Sequence, residues 1–177
     1  SLNYSPNWAS RNLRSKKSNM LLVVIPEFSN PFWGDILEGM EQEAQKYHYK
    51  LIITTSHSNI YQERIALSLL KQRQADGAIL LSPVLPQAEL IDIDESHPLI
   101  QCCEYTDDSP LPHVSIDNYS ALCDVMEYLI RLGHRKIAMV SSTNHFVSTI
   151  QREKGYADTL KKHHIPVPDE YLLRGTY

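Results

Sequence analysis

The segment from Met20 to Tyr47 constrains the fold more than any other part of the sequence. Met20 to Ile25 is an unbroken apolar run of strand length, rich in β-branched residues, which predicts a strand buried on both faces, as in a parallel sheet. Pro26 has no N–H to donate to a neighbouring strand, so the strand ends there. Asn30 and Pro31 then have the residue types of a helix N-cap and of the first helical position. A buried strand followed at once by a helix predicts an α/β fold.

The same alternation of strand and helix continues along the chain. Apolar runs predict further strands at Lys50 to Thr55, Ala78 to Ser82, Leu99 to Cys103, His113 to Asp117, Lys136 to Val140 and Tyr171 to Arg174. Helical spacing predicts the segments between them: Ser58 to Arg73, Pro86 to Glu95, Ser120 to Leu132 and Ile150 to His163. Strands that alternate with helices in this way form right-handed βαβ units and parallel, doubly wound sheets.

The spacing of apolar residues also predicts which side of each helix faces the core. These residues are Ile36, Met40, Ala44 and Tyr47 in the first helix, and Ile65, Ala66, Leu69 and Leu70 in the second. Gly133 stands where a helix C-terminus favours a left-handed residue. The first five strands suffice for one sheet, whereas the part after Asp117 begins a second sheet without finishing it. We therefore expect more chain to follow.

Composition excludes several classes of protein. The chain has 177 residues, of which 42% are apolar and 21% charged, as in an ordinary globular protein. No apolar run approaches the ~18 residues that span a bilayer, and the N-terminus lacks the apolar region of a signal peptide. Cys102, Cys103 and Cys123 do not have the spacing of a zinc site or a disulfide framework, which favours a reducing, cytoplasmic setting without a membrane.

The basic residues are unevenly distributed. Before Glu27 the chain carries Arg11, Arg14, Lys16 and Lys17 and no acid, whereas the remainder has 13 Lys and Arg against 21 Asp and Glu. A basic arm on an acidic body suits contact with the phosphate backbone of DNA. The alternative is a solvated tail without a partner.

The motifs of the common cofactor and nucleophile chemistries are missing. The sequence has no GxGxxG dinucleotide fingerprint, no GxxxxGK[ST] phosphate loop and no GxSxG nucleophile elbow. The eight histidines are scattered, without the spacing of metal ligands. The sequence therefore predicts neither a cofactor nor a metal.

Candidate binding residues follow the predicted strands, where ligands of open α/β sheets bind. Phe28, Phe32 and Trp33 follow the first strand beside unpaired helix N–H groups, which indicates either a pocket for a flat or sugar-like molecule or aromatic packing on the core. Glu104 follows the fourth strand and either accepts hydrogen bonds from ligand hydroxyls or belongs to a solvated loop. Arg152, in the first turn of its helix, is either a surface charge or a forked donor to ligand oxygens.

Several stretches resemble one known family in order and spacing, over almost all of the chain. LNYSPNWASRNLRSKK, SNPFWGDILEGMEQEAQKY, QADGAILL, VSIDNYSA, YLIRLGHRKIAMV and QREKGYADTL resemble the lactose-repressor (LacI/GalR) family of bacterial transcription regulators. The resemblance implies a periplasmic-binding-protein-like type I fold, with parallel doubly wound sheets in two subdomains. The N-terminal subdomain is expected at 19–116, and the C-terminal subdomain begins, incomplete, at 117–177.

The resemblance also implies a DNA-binding segment. Residues 1–18 resemble the hinge helix and linker to a helix-turn-helix domain that is missing here. The expected DNA contacts are Asn7, Ser10, Leu13 and Arg14, with Leu13 as the wedge that parts a base step. Ser10 departs from the alanine that is usual at this position of the family.

By motif position, the effector would bind in the cleft between the lobes. The expected effector-binding residues are Phe32, Trp33, Glu104, Tyr105, Phe146, Ser148 and Arg152. The expected effector is a sugar or sugar derivative first and a purine or nucleoside second. The family also implies a homodimer on operator DNA, in which lobe rotation changes the spacing of the paired hinge helices.

Two rival functions are open at this point. A periplasmic-type sugar-binding protein of the same fold would carry a signal peptide and no basic arm. An enzyme such as a sugar hydrolase would use Glu104 or Asp107, but the sequence does not place an acid/base pair. We expect a ligand-responsive repressor and no catalysis.

Overall fold

The computed structural model describes residues 17–106 and 109–176 of the chain. The expected DNA-contact residues Asn7, Ser10, Leu13 and Arg14 lie outside the described residues, and so does Asp107. Within the described residues, no helix is long and apolar enough to cross a membrane.

The described chain divides into two compact units. Unit 1 consists of residues 17–102 and 109–114, and unit 2 of residues 103–106 and 115–176. Residues 103–106 therefore group with unit 2, although the sequence places them in the segment 19–116. The expected subdomain boundaries remain predictions.

Unit 1 contains one parallel sheet. Its strands are β1 (Met20–Ile25), β2 (Lys50–Thr55), β3 (Gly77–Leu81), β4 (Leu99–Cys102) and β5 (His113–Val114), in the order β2-β1-β3-β4-β5. β1 has a neighbour on each side, and Leu22 to Ile25 are at most 2% exposed. This confirms the doubly buried strand and the parallel α/β class.

The helices of unit 1 are α1 (Phe32–Lys46), α2 (Ile60–Lys71) and α3 (Gln87–Asp94). Asn59 caps α2, because its side-chain oxygen accepts from the backbone N–H groups of Tyr61 at 2.9 Å and Gln62 at 3.2 Å. The core against β1, β3 and β4 includes Ala66, Leu67, Leu70, Leu80, Leu90 and Leu99.

Two residues expected in this core are on the surface. Ile65 is 62% exposed because the buried side of α2 is formed by Glu63, Ala66, Leu67 and Leu70. Tyr47 is 69% exposed because α1 ends one residue earlier and the backbone has left the helical conformation. Tertiary packing decides which apolar residues of a helix are covered and where the helix ends, so residues beside the buried stripe or at the helix end are predicted less well.

Unit 2 contains α4 (Asn118–Arg131), β6 (Met139–Ser142), α5 (Val147–Lys162) and β7 (Leu172–Gly175), and β6 pairs with β7 in parallel. Gly133 has φ +95°, and its N–H donates to the carbonyl of Ile130. The expected left-handed helix end is therefore present. The core of unit 2 lies between α4 and α5 and includes Met126, Ile130, Tyr156, Leu160 and Ile165.

Candidate functional site

The aromatic residues that follow β1 have different environments. Phe28 and Phe32 are 66% and 53% exposed, whereas Trp33 is only 8% exposed. The two adjacent rings of Phe32 and Trp33 meet edge to face, with their centroids 5.0 Å apart. The Nε1 of Trp33 is buried without a hydrogen-bond partner in the described part of the chain. Trp33 thus belongs to the core by its burial, while Phe32 presents apolar surface to solvent.

The start of α1 follows the expected cap chemistry. Asn30 Oδ1 accepts from the backbone N–H of Phe32 at 3.0 Å. Pro31 already has helical dihedral angles, with φ −62° and ψ −20°. Asn therefore acts as the cap and Pro as the first helical residue, although the helical hydrogen-bond pattern begins at Phe32.

Glu104 contacts the N-terminus of α5. Its Oε2 accepts from the backbone N–H of Ser148 at 3.2 Å, and its Oε1 accepts from Ser148 Oγ at 2.5 Å. Ser148 is the second residue of the helix and is 7% exposed. The first N–H groups of a helix have no intrahelical partner and favour a nearby negative charge, so the Glu104 carboxylate caps α5 from a distant part of the chain.

Asn144 completes the same helix start. Its Oδ1 accepts from the backbone N–H of Phe146 at 3.2 Å and from Thr149 Oγ1 at 2.8 Å. Phe146 is the N-cap residue and is half-buried, with no side-chain oxygen to use as a cap. This capping explains why α5 begins at Val147, three residues before the expected Ile150. The sequence signal was an asparagine just ahead of an apolar pair, which is typical of a helix start.

Arg152 lies one turn after Ser148 and is held by a buried asparagine. The Nε of Arg152 donates to Asn118 Oδ1 at 2.8 Å, while Asn118 Nδ2 donates to the carbonyl of Ile116 at 3.2 Å. Asn118 is 3% exposed, whereas Arg152 is exposed. Within residues 17–106 and 109–176, the two terminal guanidinium nitrogens of Arg152 have no hydrogen-bond partner. Asn118, which begins α4 directly after the capping residue Asp117, is not among the residues predicted from the sequence.

Tyr105 is the remaining expected residue near α5. Gln151 Nε2 donates to the Tyr105 hydroxyl at 3.3 Å, and Tyr105 is half-buried. Positions 148, 151 and 152 lie on one side of a helix because they are three and four residues apart. We call the resulting set the α5 cluster, and it contains Glu104, Tyr105, Asn118, Ser148, Gln151 and Arg152.

The α5 cluster combines one carboxylate, one forked cation and several neutral donors and acceptors. Both oxygens of Glu104 retain further acceptor capacity, and Arg152 can still donate from its two terminal nitrogens. Glu153, the next carboxylate on α5, is engaged by Arg174 at 2.9 and 2.6 Å, and this hydrogen-bonded pairing lowers its pKa. Among the described residues, no group of three or more His, Cys, Asp or Glu side chains has the geometry of a metal site. This inventory suits the binding of a small molecule rich in hydroxyl or anionic oxygens.

Unit 1 also has an open groove between α1 and the edge strand β2. It encloses about 900 Å³, and its lining includes Leu37, Glu41, Tyr49, Lys50 and Ile53. None of the expected effector residues lines it. The groove is therefore separate from the residues that the sequence selected for effector binding.

A family model agrees with this architecture over nearly the whole described chain. The model for periplasmic binding proteins and the sugar binding domain of the LacI family matches residues 18–176. The chain is 32% identical to catabolite control protein A of Priestia megaterium over 178 residues, which cover 99% of this chain and 54% of that protein. It is 29% identical to the transcriptional repressor CytR of Escherichia coli, over 98% of this chain and 51% of that protein.

A solved structure shows the same fold. The Cra transcriptional dual regulator of Pseudomonas putida, in complex with fructose 1-phosphate, superposes with a TM-score of 0.77 at 22% identity, over 90% of this chain and 58% of that one. The chain thus spans about half the length of the curated relatives it matches.

Proposed function

The chain belongs to the family of periplasmic binding proteins and sugar binding domains of LacI type, and on that premise we propose that it is the effector-responsive part of a DNA-binding transcriptional repressor. Its curated relatives are transcriptional regulators, which does not favour a periplasmic sugar-binding protein as the alternative. The proposal includes operator DNA, a small effector, a homodimer and a cytoplasmic location.

The α5 cluster is the observation that carries the proposal within this chain. Glu104, Ser148 and Arg152 were selected from the sequence as effector-binding residues, and all three lie at or near the start of α5 with hydrogen bonds that orient them. A site of fixed donors and acceptors can recognise a small polar molecule without a large conformational cost. Tyr105 is part of the cluster, and Phe146 is the N-cap residue of the same helix. Phe32 and Trp33 stay among the proposed effector-binding residues, Phe32 through its exposed ring and Trp33 as the buried ring that packs against it.

We propose a sugar or sugar derivative as the effector, with a purine or nucleoside second. The two terminal guanidinium nitrogens of Arg152 can donate in parallel to the paired oxygens of a phosphate or of neighbouring hydroxyls. The P. putida Cra structure contains fructose 1-phosphate, which makes a sugar phosphate a rational first probe. Aromatic faces such as that of Phe32 suit either a sugar ring or a base, so they do not choose between the two classes.

The proposed response is a shift between conformational states. An effector that binds one state better than another changes the affinity for DNA by the ratio of its affinities for the two states. No covalent step is part of this proposal, because the α5 cluster contains a single carboxylate. The paired acid and base of a glycoside hydrolase would need a second one.

Substitution of Arg152 tests the effector site. Isothermal titration with fructose 1-phosphate, glucose and adenosine should identify a binding compound, and Arg152→Ala should weaken its binding at least about 10-fold because a charge-assisted pair of hydrogen bonds is lost. Arg174→Ala is the matched control. The guanidinium of Arg174, on β7, is already hydrogen-bonded to Glu153, which follows Arg152 on α5. Equal affinity in the Arg152→Ala and unaltered proteins would contradict the assignment of this residue.

A further inference from the structure

The carboxylate of Asp76 accepts three hydrogen bonds from the residues just before β1. Its Oδ1 accepts from the backbone N–H of Ser18 at 2.7 Å and from Ser18 Oγ at 2.8 Å, and its Oδ2 accepts from the backbone N–H of Asn19 at 2.9 Å. The backbone N–H of Asp76 also donates to the carbonyl of Met20 at 2.9 Å. Asp76, the residue just before β3, therefore holds Ser18 and Asn19, the two residues just before β1. We call this set of contacts the Asp76 clasp.

The clasped residues are held from several directions. Ser18 is 4% exposed, and its Oγ also accepts from the backbone N–H of Met20 at 3.1 Å. Asn19 has φ +53°, and its carbonyl accepts from the backbone N–H of Lys50 at 3.0 Å. Asparagine adopts this left-handed conformation more readily than most residues. The charge-assisted bond to Asp76 and the backbone bond from Lys50 hold Asn19 in this conformation.

The clasp lies where the basic arm joins the body of the protein. Lys17 is exposed and directly precedes Ser18, and Arg11, Arg14 and Lys16 precede it in the sequence. The volume that a chain segment explores grows with the length of the flexible linker that attaches it. Three hydrogen bonds to Asp76 hold Ser18 and Asn19, so they fix the point at which the preceding residues join unit 1.

We propose that Asp76 is a positioning residue that fixes the root of the basic arm to the β1–β3 region, so that the arm is presented to DNA from a defined point. The role in DNA binding rests on the proposed function. The clasp itself is independent of that function, since it concerns contacts within unit 1 alone.

Limited proteolysis measures directly how often the Asp76 clasp opens. Trypsin cleaves after lysine, and the amide nitrogen of the Lys17–Ser18 bond is itself the donor to Asp76 Oδ1. Cleavage at this bond requires the clasp to open, so its rate follows the population of the open form. We expect Asp76→Ala to accelerate this cleavage at least about 10-fold, because the donors lose a charged acceptor. Mass spectrometry separates this product from cleavage after Arg14, which serves as the reference within each digest.

Asp94→Ala is the matched control. The Oδ1 of Asp94 accepts from the backbone N–H of Leu99 at 2.8 Å, so it performs the same chemistry at the start of β4 in the same unit. We expect this variant to leave the Lys17–Ser18 rate unchanged. No acceleration in Asp76→Ala, or an equal acceleration in Asp94→Ala, would overturn the clasp.

A second variant covers the case in which Asp76→Ala does not fold. Ser18→Ala removes one of the three bonds and keeps the carboxylate, and it should accelerate the same cleavage several-fold while retaining a cooperative thermal transition. An unchanged rate in that folded variant would overturn the clasp.

DNA retention separates the clasp from the proposed function. The unaltered protein, expressed from its complete reading frame, is first used to select duplexes from a random pool. Asp76→Ala should then bind the selected duplex at least about 10-fold more weakly than Asp94→Ala, since an unanchored arm must be ordered on binding. Equal binding by the two variants would overturn the positioning role. Failure of the unaltered protein to retain any duplex would overturn the proposed function, while the clasp would still be decided by proteolysis.

Discussion

At the scale of single residues, the buried carboxylate of Glu63 connects a helix with a distant loop. Glu63 on α2 is 1% exposed, and it accepts from the backbone N–H groups of Val84 at 2.9 Å and Leu85 at 3.4 Å. Burial raises its pKa, and the two N–H groups offset only part of that rise. The charged form is therefore costly in the fold even though it is hydrogen-bonded. Glu63 holds the loop after β3 against α2 at the expense of some stability at neutral pH.

Glu63→Gln should change the pH dependence of stability in a defined direction. A carboxyl whose pKa is raised by folding binds its proton more tightly in the folded state, so its contribution to stability falls as pH rises from its unfolded value through the folded pKa. Relative to Glu63→Gln, the unaltered protein should therefore lose stability across this window, above about pH 4.3. Thermal unfolding of both proteins between acid and neutral pH measures this difference.

Glu89→Gln provides the opposite sign as a control. Its hydrogen bond with Arg64 lowers the pKa of Glu89, so its contribution is present above the unfolded pKa and is lost as pH falls through the folded one. A pH-independent difference between the unaltered protein and Glu63→Gln would show that burial does not shift the pKa of Glu63.

At the scale of elements, the close approach of α4 and α5 depends on one glycine. A Cβ built at Gly155 would lie 2.7 Å from the backbone carbonyl oxygen of Tyr119 and 3.4 Å from Leu122 Cβ. Beside this contact, Tyr156 is 1% exposed and its hydroxyl donates to the carbonyl of Ile137 at 2.8 Å. The small residue lets the next side chain enter the core of unit 2.

Gly155→Ala should destabilise unit 2. The gain in helix propensity is about 1 kcal/mol, whereas overpacking against a backbone atom costs roughly 1–3 kcal/mol, so the net free energy of unfolding should fall. Gly39→Ala is the matched control, because Gly39 is also within a helix and a Cβ there would meet nothing within 4 Å. That variant should be neutral or more stable by up to about 1 kcal/mol. Denaturant unfolding would contradict this contact if both variants changed stability by the same amount.

The helices also show which structural features can be predicted from a sequence. Caps such as Asn59 and the left-handed Gly133 were predictable because a side chain and the backbone within a few residues of it determine them. The exposed positions of Ile65 and Tyr47 were not predictable, because tertiary packing decides which part of an apolar stripe is covered. The beginning of α5 was predicted three residues late because Asn144 caps it from outside the helix.

At the scale of the whole molecule, the chain folds as two units, and contacts within each unit join residues that are far apart in the sequence. Glu104 and Ser148 are 44 residues apart in sequence, and Asp76 and Ser18 are 58 apart. Sequence patterns placed Glu104 and Arg152 among candidate residues through their positions at a strand end and in a first helical turn. They did not show that Asn118 orients Arg152, since that pairing depends on how α4 meets α5. The fold class was therefore predictable, but the partners within the candidate site were not.

We propose that a small effector changes the affinity of this protein for DNA. The most direct measurement is fluorescence anisotropy of a selected duplex with the protein from its complete reading frame, with and without the effector found by titration. We expect the dissociation constant to change by about 5-fold or more, as is typical of allosteric coupling. In Arg152→Ala the change should disappear while the affinity for the duplex is retained. Absence of duplex binding, or an affinity that no sugar, sugar phosphate or nucleoside alters, would contradict the claim.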